Sequence, residues 1–485
     1  MTSELADTPD GYRRSSVEEF SLADGRRYSW SGCLQPLRGC DSTSDAPKSR
    51  GVHTVTNPIR SVARDAVRSR AWKATSRWIR GTERWNRLED EFDGSYVKAE
   101  VVVYFGDRSS KFYQLEQWIP VLEELHKTHR VVLVMRKGSA LLRTLETTHL
   151  PVVFKRKFDP LHTFYHANNF KLALYVNNGM TNFQSLAFAP MVHVHVNHGE
   201  SDKLSMVSNQ SKSYDKVFVA GDAAIERHRR ALIDFDESAL VKVGRPQLDI
   251  ERPVELEPSN ARTIMYAPTW EGENESNNYT SVDLFGPQII EAALQIPNAR
   301  VIYKPHPRVE KSKDPAMTEA NARILDLLEA ANESISDESK QHQVLMQGDI
   351  LAMFNAVDLL ITDISSVGLD FLYLHPEKPL ALTDRRDDTV VLNAEAPISR
   401  ATPIIDRSTV DRLNQMFQAM LSEDSAAEAR RDLRRHYFGD GGKGTSTVLF
   451  TEAVSKLISA RSAVLEHFHT DDSINAESED EASGE

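Results

Sequence analysis

Cysteine is nearly absent: Cys33 and Cys40 are the whole supply in 485 residues, and both fall in a stretch with the texture of an unfolded tail. That excludes a disulfide framework or a cysteine-built zinc site for a folded core and leaves two reduced thiols. Long apolar runs are also missing. The opening MTSELADTPDGYRRSS has no apolar core of a secretory signal, and no later window approaches the ~20 apolar residues of a membrane span. The expectation is a protein kept in the cytosol. There is no excess of basic charge, since 58 Lys and Arg face 71 Asp and Glu for a net −13. Wholesale wrapping of nucleic acid is thereby excluded, though local basic patches are not. Finally, no Walker loop, GxGxxG fingerprint or GxSxG elbow occurs, so P-loop hydrolysis, hydride transfer and α/β-hydrolase chemistry have no support.

What is present is more than one core's worth of chain, because single cores stop growing near ~250–300 residues. Residues 1–58 mix Ser, Asp, Arg, Gly and Pro with few periodic apolar positions and read as a disordered tail. Residues 59–95 form a basic amphipathic helical segment, with Ile59, Val62, Ala66, Trp78, Trp85 and Leu88 at roughly helical spacing among many arginines. Two readings stay open for it: attachment to an anionic membrane surface through its arginines and Trp72, Trp78 and Trp85, or an ordinary helix packed on the core.

From residue 96 strands and helices alternate, which predicts parallel sheets covered by helices. Strands are expected at 101–105, 131–135, 151–155, 172–176, 191–196 and 216–219, with a helix over 112–127. The Pro-rich polar stretch 251–262 marks a boundary. Beyond it, strands are expected at 263–267, 300–304, 358–362 and 378–382, with helices at 287–295, 318–333 and 349–356. The fold class is thus α/β, with two Rossmann-like parallel-sheet domains, 96–250 and 251–425, facing across a cleft. C-terminal helices follow at 426–469, then an acidic disordered tail at 470–485.

Four segments follow strands directly, where open parallel sheets hold their ligands. In HVHVNHGESDK, His193 and His195 share a strand face, and Asn197, His198 and Gly199 fall at the strand end. Gly199 admits a close approach, which leaves His198 as a candidate general base. The three histidines raise a zinc site, but no carboxylate or thiol stands ready to complete it, and histidines covered on a sheet face explain the pattern equally. No metal is assigned. Lys203 is a surface lysine, or a phosphate contact if its loop closes.

In MYAPTWEG, Pro268 fixes the turn, Thr269 offers a hydroxyl and Trp270 a packing or stacking face. In VIYKPHPR, His306 is held stiffly between two prolines, with Lys304 and Arg308 supplying charge that suppresses its protonation and favours bound phosphate. In DLLITDISSVGLDF, a strand ends at Thr362-Asp363 and Ser365-Ser366 open a helix, so hydroxyls and free backbone N–H groups gather at an anion site. Simple N-capping by a serine is compatible with that role. Asp370, one turn further on, receives a hydroxyl or anchors the helix.

Taken in order, NHG-x-x-x-K, VGRPQLD, MYAPTWEG, YKPHPR and DLLITDISSVGLDF resemble the successive motifs of the CDP-glycerol glycerophosphotransferase family, which builds wall teichoic acid polymers. The resemblance covers about residues 190–450. The TDxSS element alone also resembles other two-Rossmann transferases and epimerases. The resemblance implies a GT-B fold and a nucleotide-activated donor, CDP-glycerol, bound mainly in the second domain. It further implies a lipid-linked acceptor at the inner face of the cell membrane, reached through a basic N-terminal surface. His198 and His306 match the family's two histidines, base and donor-phosphate contact. Ser365 and Ser366 match its phosphate-binding serines, and the segment holding Gly442, Thr445 and Ser446 resembles a late donor-facing element.

The departures are Glu200-Ser201-Asp202 where the family reads TPL, Glu271 where it has Arg, and Ile364 where it has Tyr. The implied reaction is attack of an acceptor hydroxyl, assisted by His198, on the glycerol-bearing phosphorus with release of CMP. Gly199, Lys203, Thr269, Lys304, Arg308, Asp363, Ser365, Ser366 and Asp370 are the expected donor contacts. No cofactor is assigned, and a Mg²⁺ requirement, the oligomeric state and the length of any polymer stay open. The alternatives are a GT-B glycosyltransferase using a nucleotide sugar, and a nucleotide-binding relative that has lost catalysis.

Overall fold

The computed structural model describes residues 18–21, 27–30, 84–94, 96–203 and 206–482. Most of the expected tail 1–58, with both cysteines, and most of the basic segment 59–95, with Trp72 and Trp78, lie outside the described residues. Inside the first stretch, β1 (Glu18–Ser21) and β2 (Arg27–Trp30) pair as an antiparallel ribbon. Inside the second, residues 84–91 are helical. A Cβ added to Gly138 would stand 1.9 Å from the Trp85 ring, so this indole packs against the Gly138 backbone.

The alternation read from the sequence builds two all-parallel sheets, of seven and six strands, within two compact units. The first unit takes the described residues up to Ile119, together with His126–Phe170 and Thr181–Phe188. Its strands β3 (Val101–Phe105), β4 (Val131–Met135) and β5 (Val152–Phe154) lie in the order β5-β4-β3. VVVYF and VVLVM are buried at every position. Continuous apolar runs suit a parallel sheet covered on both faces. The single helix expected over 112–127 is two, Tyr113–Glu116 and Ile119–His126. Pro120 stands in the first turn of the second, where its missing N–H costs nothing.

The second unit takes Pro120–Leu125, Lys171–Met180 and Ala189 onward. Strands β6 (Leu172–Tyr175), β7 (Val192–His195), β8 (Lys216–Val219) and β9 (Leu240–Lys242) run parallel in chain order. The six-stranded sheet consists of β10 (Arg262–Ala267), β11 (Ala299–Tyr303), β12 (Gln343–Val344), β13 (Leu359–Thr362), β14 (Leu380–Thr383) and β15 (Ile404–Ile405). Their order is β12-β11-β10-β13-β14-β15, so the carboxyl ends of β10, β11 and β13 stand side by side. The helix expected from Pro287 starts five residues earlier, at Val282, and carries the proline inside.

Grouping residues 189–250 with the later sheet differs from a domain boundary at 250/251. Polar ties, two of them buried, join these residues to the later ones. Arg245 bonds Asp370 at 2.7 Å, and Tyr437 bonds Asp202 at 2.5 Å. Asp249 accepts from the backbone N–H of Gly444 and of Thr447 at 2.8 and 2.7 Å. The last helix, Thr445–Ala482, runs through most of the stretch read as an acidic tail. Ala and Glu are good helix formers, and extending a nucleated helix costs little.

Candidate functional site

The His198 loop leaves β7 through Asn197, whose backbone sits in the left-handed region at φ 52° and whose side chain accepts the His198 N–H at 2.8 Å. Asparagine tolerates that conformation well and can bond its own backbone there. Gly199 then passes over the start of the Ser366–Leu374 helix: a Cβ placed on it would lie 3.9 Å from Ser366 Cβ and 3.9 Å from Arg245 Nη1. Those are ordinary contact distances, so no neighbouring chain forces a glycine here.

The helix start has the expected form. Ser365 is its N-cap and accepts the Val367 N–H at 3.3 Å, and both Ser365 and Ser366 are partly open to solvent. An N-terminus of this kind gathers unsatisfied donors and the positive end of the helix dipole. Lys203, at the far end of the loop, places Nζ 3.3 Å from Thr269 Oγ1 and 5.3 Å from the Tyr279 ring centre. Burial depresses its pKa, opposed by the Asp363 charge. The loop after β7 and the turn after β10 thus meet at one point.

His306 sits in the turn after β11. Its backbone N–H bonds the Pro268 carbonyl at 3.0 Å, and its Nδ1 accepts the Arg308 N–H at 3.2 Å. That bond leaves Nε2 as the protonated nitrogen of the neutral ring. The ring stacks on Trp270 with centres 6.0 Å apart, and the Arg308 guanidinium lies 4.2 Å from the Trp270 ring centre. Crowding by its neighbours, then the charges of Arg308, Lys203 and Lys304, hold the His306 pKa down to about 4, although part of the ring surface meets solvent. The sequence argument that flanking cations keep this histidine neutral therefore has its geometric counterpart. Lys304 itself is buried; desolvation lowers its pKa, and the charges of Glu255 and Asp349 oppose that shift.

Two residues expected to contact the donor are turned inward. Asp363 is wholly buried and accepts from Ser281 Oγ at 2.5 Å, Thr383 Oγ1 at 2.6 Å and the Thr269 N–H at 2.6 Å. Its carboxylate ties the ends of β10, β13 and β14 together. Desolvation nevertheless pushes its pKa up to about 6, against those hydrogen bonds and the Lys203 charge. Asp370 is the buried partner of Arg245, which ties the helix to the 243–249 segment.

The late segment is likewise largely engaged within the protein. Ser446 is buried 3.2 Å from Tyr373 OH, at the far end of the Ser366–Leu374 helix, and a Cβ on Gly244 (φ 69°) would collide with its hydroxyl. Gly442 and Thr445 are exposed and joined by a Thr445 N–H to Gly442 carbonyl bond of 3.2 Å.

The departures from the family pattern find partners away from the helix start. Glu200 and Asp202 both engage Arg227, and Glu271 accepts from Ser312 Oγ at 2.6 Å. Ile364 joins the apolar core. The β7 histidines are core residues: His193 Nδ1 is 2.8 Å from Tyr175 OH, and His195 stacks on Tyr214 at 5.0 Å. Among the described residues no three His, Cys, Asp or Glu side chains are grouped to hold a metal. Arg227, Arg245, Asp249 and Tyr279 were not singled out from sequence. Only Arg245 and Asp249 carried a signal, lying inside VGRPQLD.

A shallow concavity opens beside the site, lined in part by Asp202, Tyr279, Ile364, Thr383, Arg385 and Arg386. Its two guanidiniums are already engaged, Arg385 with Asp283 at 2.6 Å and Arg386 with Glu395 at 3.1 Å. No helix among the described residues is long and apolar enough to cross a membrane.

The model of the CDP-Glycerol:Poly(glycerophosphate) glycerophosphotransferase family matches residues 122–385, more than half of the chain. No curated protein matches it. Among solved structures, a putative UDP-N-acetylglucosamine 2-epimerase from Listeria monocytogenes superposes with a TM-score of 0.51 at 14% identity, over 74% of this chain and 96% of that one. The wall teichoic acid polymerase TagF aligns at 15% identity over 83% of this chain and 98% of that one, with a TM-score of 0.46. A glycosyltransferase from Rickettsia africae aligns at 12% identity over 75% and 99%, with a TM-score of 0.45.

Proposed function

Because the chain belongs to the CDP-glycerol:poly(glycerophosphate) glycerophosphotransferase family, we propose that it transfers glycerol phosphate from CDP-glycerol to an acceptor hydroxyl and releases CMP. The observation that carries this reading is the approach of the His198-Gly199 loop to the Ser366 end of its helix, 3.9 Å from the Gly199 Cβ position. A base and an anion site then flank one opening. The diphosphate of the donor lies at the helix start, where the Ser365 and Ser366 region offers backbone N–H groups and hydroxyls. His306, neutral in the free protein and carrying its proton on Nε2, donates to a phosphate oxygen, and Arg308, Lys304 and Lys203 supply positive charge nearby.

His198 takes the proton of the acceptor hydroxyl as its oxygen attacks the glycerol-bearing phosphorus. The bond from that phosphorus to the bridging oxygen breaks, and CMP departs with the electron pair. Fixed donors and cations stabilise the charge that develops on the transferring group and the leaving phosphate, which is where catalysis of phosphoryl transfer resides. The acceptor in this reading is a lipid-linked glycerol phosphate chain at the inner face of the cell membrane.

The purified protein should release CMP from CDP-glycerol in the presence of such an acceptor, assayed with and without Mg²⁺. His198→Ala and His306→Ala should each abolish turnover while leaving the thermal melt unchanged. Near-normal transfer by either variant removes that residue from the mechanism. Release of a nucleoside diphosphate from a nucleotide sugar, with no reaction on CDP-glycerol, replaces the reading with glycosyl transfer. Tight CMP binding without turnover on any acceptor replaces it with a non-catalytic role.

A further inference from the structure

Behind the His198 loop lies a buried polar cluster that the proposed reaction does not use. Arg227, on the Asp222–Ala231 helix, is 6% exposed and donates from Nη1 to Glu200 Oε1 at 2.5 Å and from Nη2 to Asp202 Oδ1 at 2.9 Å. Tyr437, on the Ala427–Phe438 helix, donates its hydroxyl to the other Asp202 oxygen at 2.5 Å. Both carboxylates are themselves buried, and between them Ser201 Oγ accepts the Lys203 N–H at 3.3 Å. One guanidinium therefore grips two of the three residues that connect Gly199 to Lys203.

Burying an arginine between two carboxylates is a poor way to gain stability, since the desolvation of three charges offsets most of their attraction. What it does provide is direction: a planar guanidinium fixes two carboxylates at set angles, which a compact ammonium cannot do. The gripped loop follows His198 and Gly199, the latter lying against the helix start, and ends at Lys203, whose Nζ reaches Thr269.

We propose that Arg227 is a positioning residue: by gripping Glu200 and Asp202, with Tyr437 bracing Asp202, it fixes the 199–203 loop and so the placement of His198 and Lys203 at the start of the Ser366–Leu374 helix. The inference rests on the function proposed above, because it takes His198 and Lys203 to act there. Its consequence is kinetic. A loop that carries a base and a cation loses catalysis when displaced by about 1 Å, of the order of 100-fold, even where the donor still binds.

The test uses the full chain with Arg227→Met, Arg227→Lys and the charge-free triple variant Glu200→Gln/Asp202→Asn/Arg227→Met, which keeps an Arg227 result readable if the single variant does not fold. Thermal melts report the fold, steady-state transfer from CDP-glycerol reports kcat and KM, and hydrogen exchange reports the peptide spanning 197–206. The expected result for the folded Met-bearing variants is a kcat lowered about 100-fold, a CDP-glycerol KM within about threefold of wild type, and faster exchange confined to that peptide. Arg227→Lys should recover only part of kcat. A folded variant lacking Arg227 that keeps kcat within threefold, or unchanged exchange at 197–206, overturns the proposal. A wild-type protein inert on CDP-glycerol sinks the function reading instead, and exchange at 197–206 then decides the clamp alone.

Discussion

Asp363 offers a measurement that separates a donor ligand from an internal tie. It is wholly buried, it accepts from Ser281, Thr383 and the Thr269 N–H, and desolvation still lifts its pKa from 3.8 to about 6. The folded chain therefore holds a proton here more tightly than the unfolded chain. A raised folded pKa contributes stability that is full below the unfolded value near 3.8 and is lost as pH rises through about 6. Between pH 4.5 and 7.5 the loss works out at roughly 2 kcal/mol.

Asp363→Asn keeps the shape and removes the titration. Urea unfolding of wild type and variant at several pH values should show wild type losing about 2 kcal/mol relative to the variant over that window, half of it by about pH 5.4 and nearly all of it by about pH 7. Parallel pH profiles for the two proteins would refute the burial argument. A CMP affinity that falls in the variant without any change in stability would return Asp363 to the donor site.

Three other outcomes follow from the same geometry. Arg245→Met strands the buried Asp370 carboxylate and should cost about 3–5 kcal/mol in urea unfolding, most of it regained in Arg245→Met/Asp370→Leu; a cost under about 1 kcal/mol contradicts the pairing. Asp249→Ala removes the acceptor for the Gly444 and Thr447 N–H groups, Thr447 Oγ1 and Tyr373 OH. Limited proteolysis should then cut the 440–446 segment sooner, and an unchanged cleavage pattern counts against the tie. The His306 ring resonance should stay flat from pH 8 down to about pH 5 and move only on approach to its folded pKa of about 4. Because that pKa lies below the ordinary 6.5, its share of stability is present above 6.5 and lost as pH falls through about 4. A ring that titrates near 6.5 refutes the crowding and the cationic surroundings together.

The strands were legible because parallel strands buried on both faces read as unbroken apolar runs, and VVVYF, VVLVM and DLLIT carry that signature. The strands Leu240–Lys242, Gln343–Val344 and Ile404–Ile405 were not, being too short to show any period. Pro287 misled because proline normally marks a helix start, whereas here the apolar face built from Val282 and Phe285 outweighs its missing hydrogen bond.

At the candidate site, placement after a strand singled out His198, His306, Thr269 and the Ser365-Ser366 start as candidates. It could not say which way a carboxylate turns. Asp363 and Asp370 share the helix entry with the serines, yet their orientation is set by Ser281 and Arg245, residues 82 and 125 positions away. The pairing of Arg227 with Glu200 and Asp202 is hidden for the same reason. Nothing local to the loop requires an arginine 25 residues on.

The most direct measurement is a crystal structure of the protein with CDP-glycerol bound. The account predicts the diphosphate within hydrogen-bond distance of the backbone N–H groups and hydroxyls at Ser365-Ser366, with His306 Nε2 on a phosphate oxygen and the His198 ring facing the glycerol-bearing phosphorus. A diphosphate held elsewhere, or one with His198 turned away from that phosphorus, contradicts it.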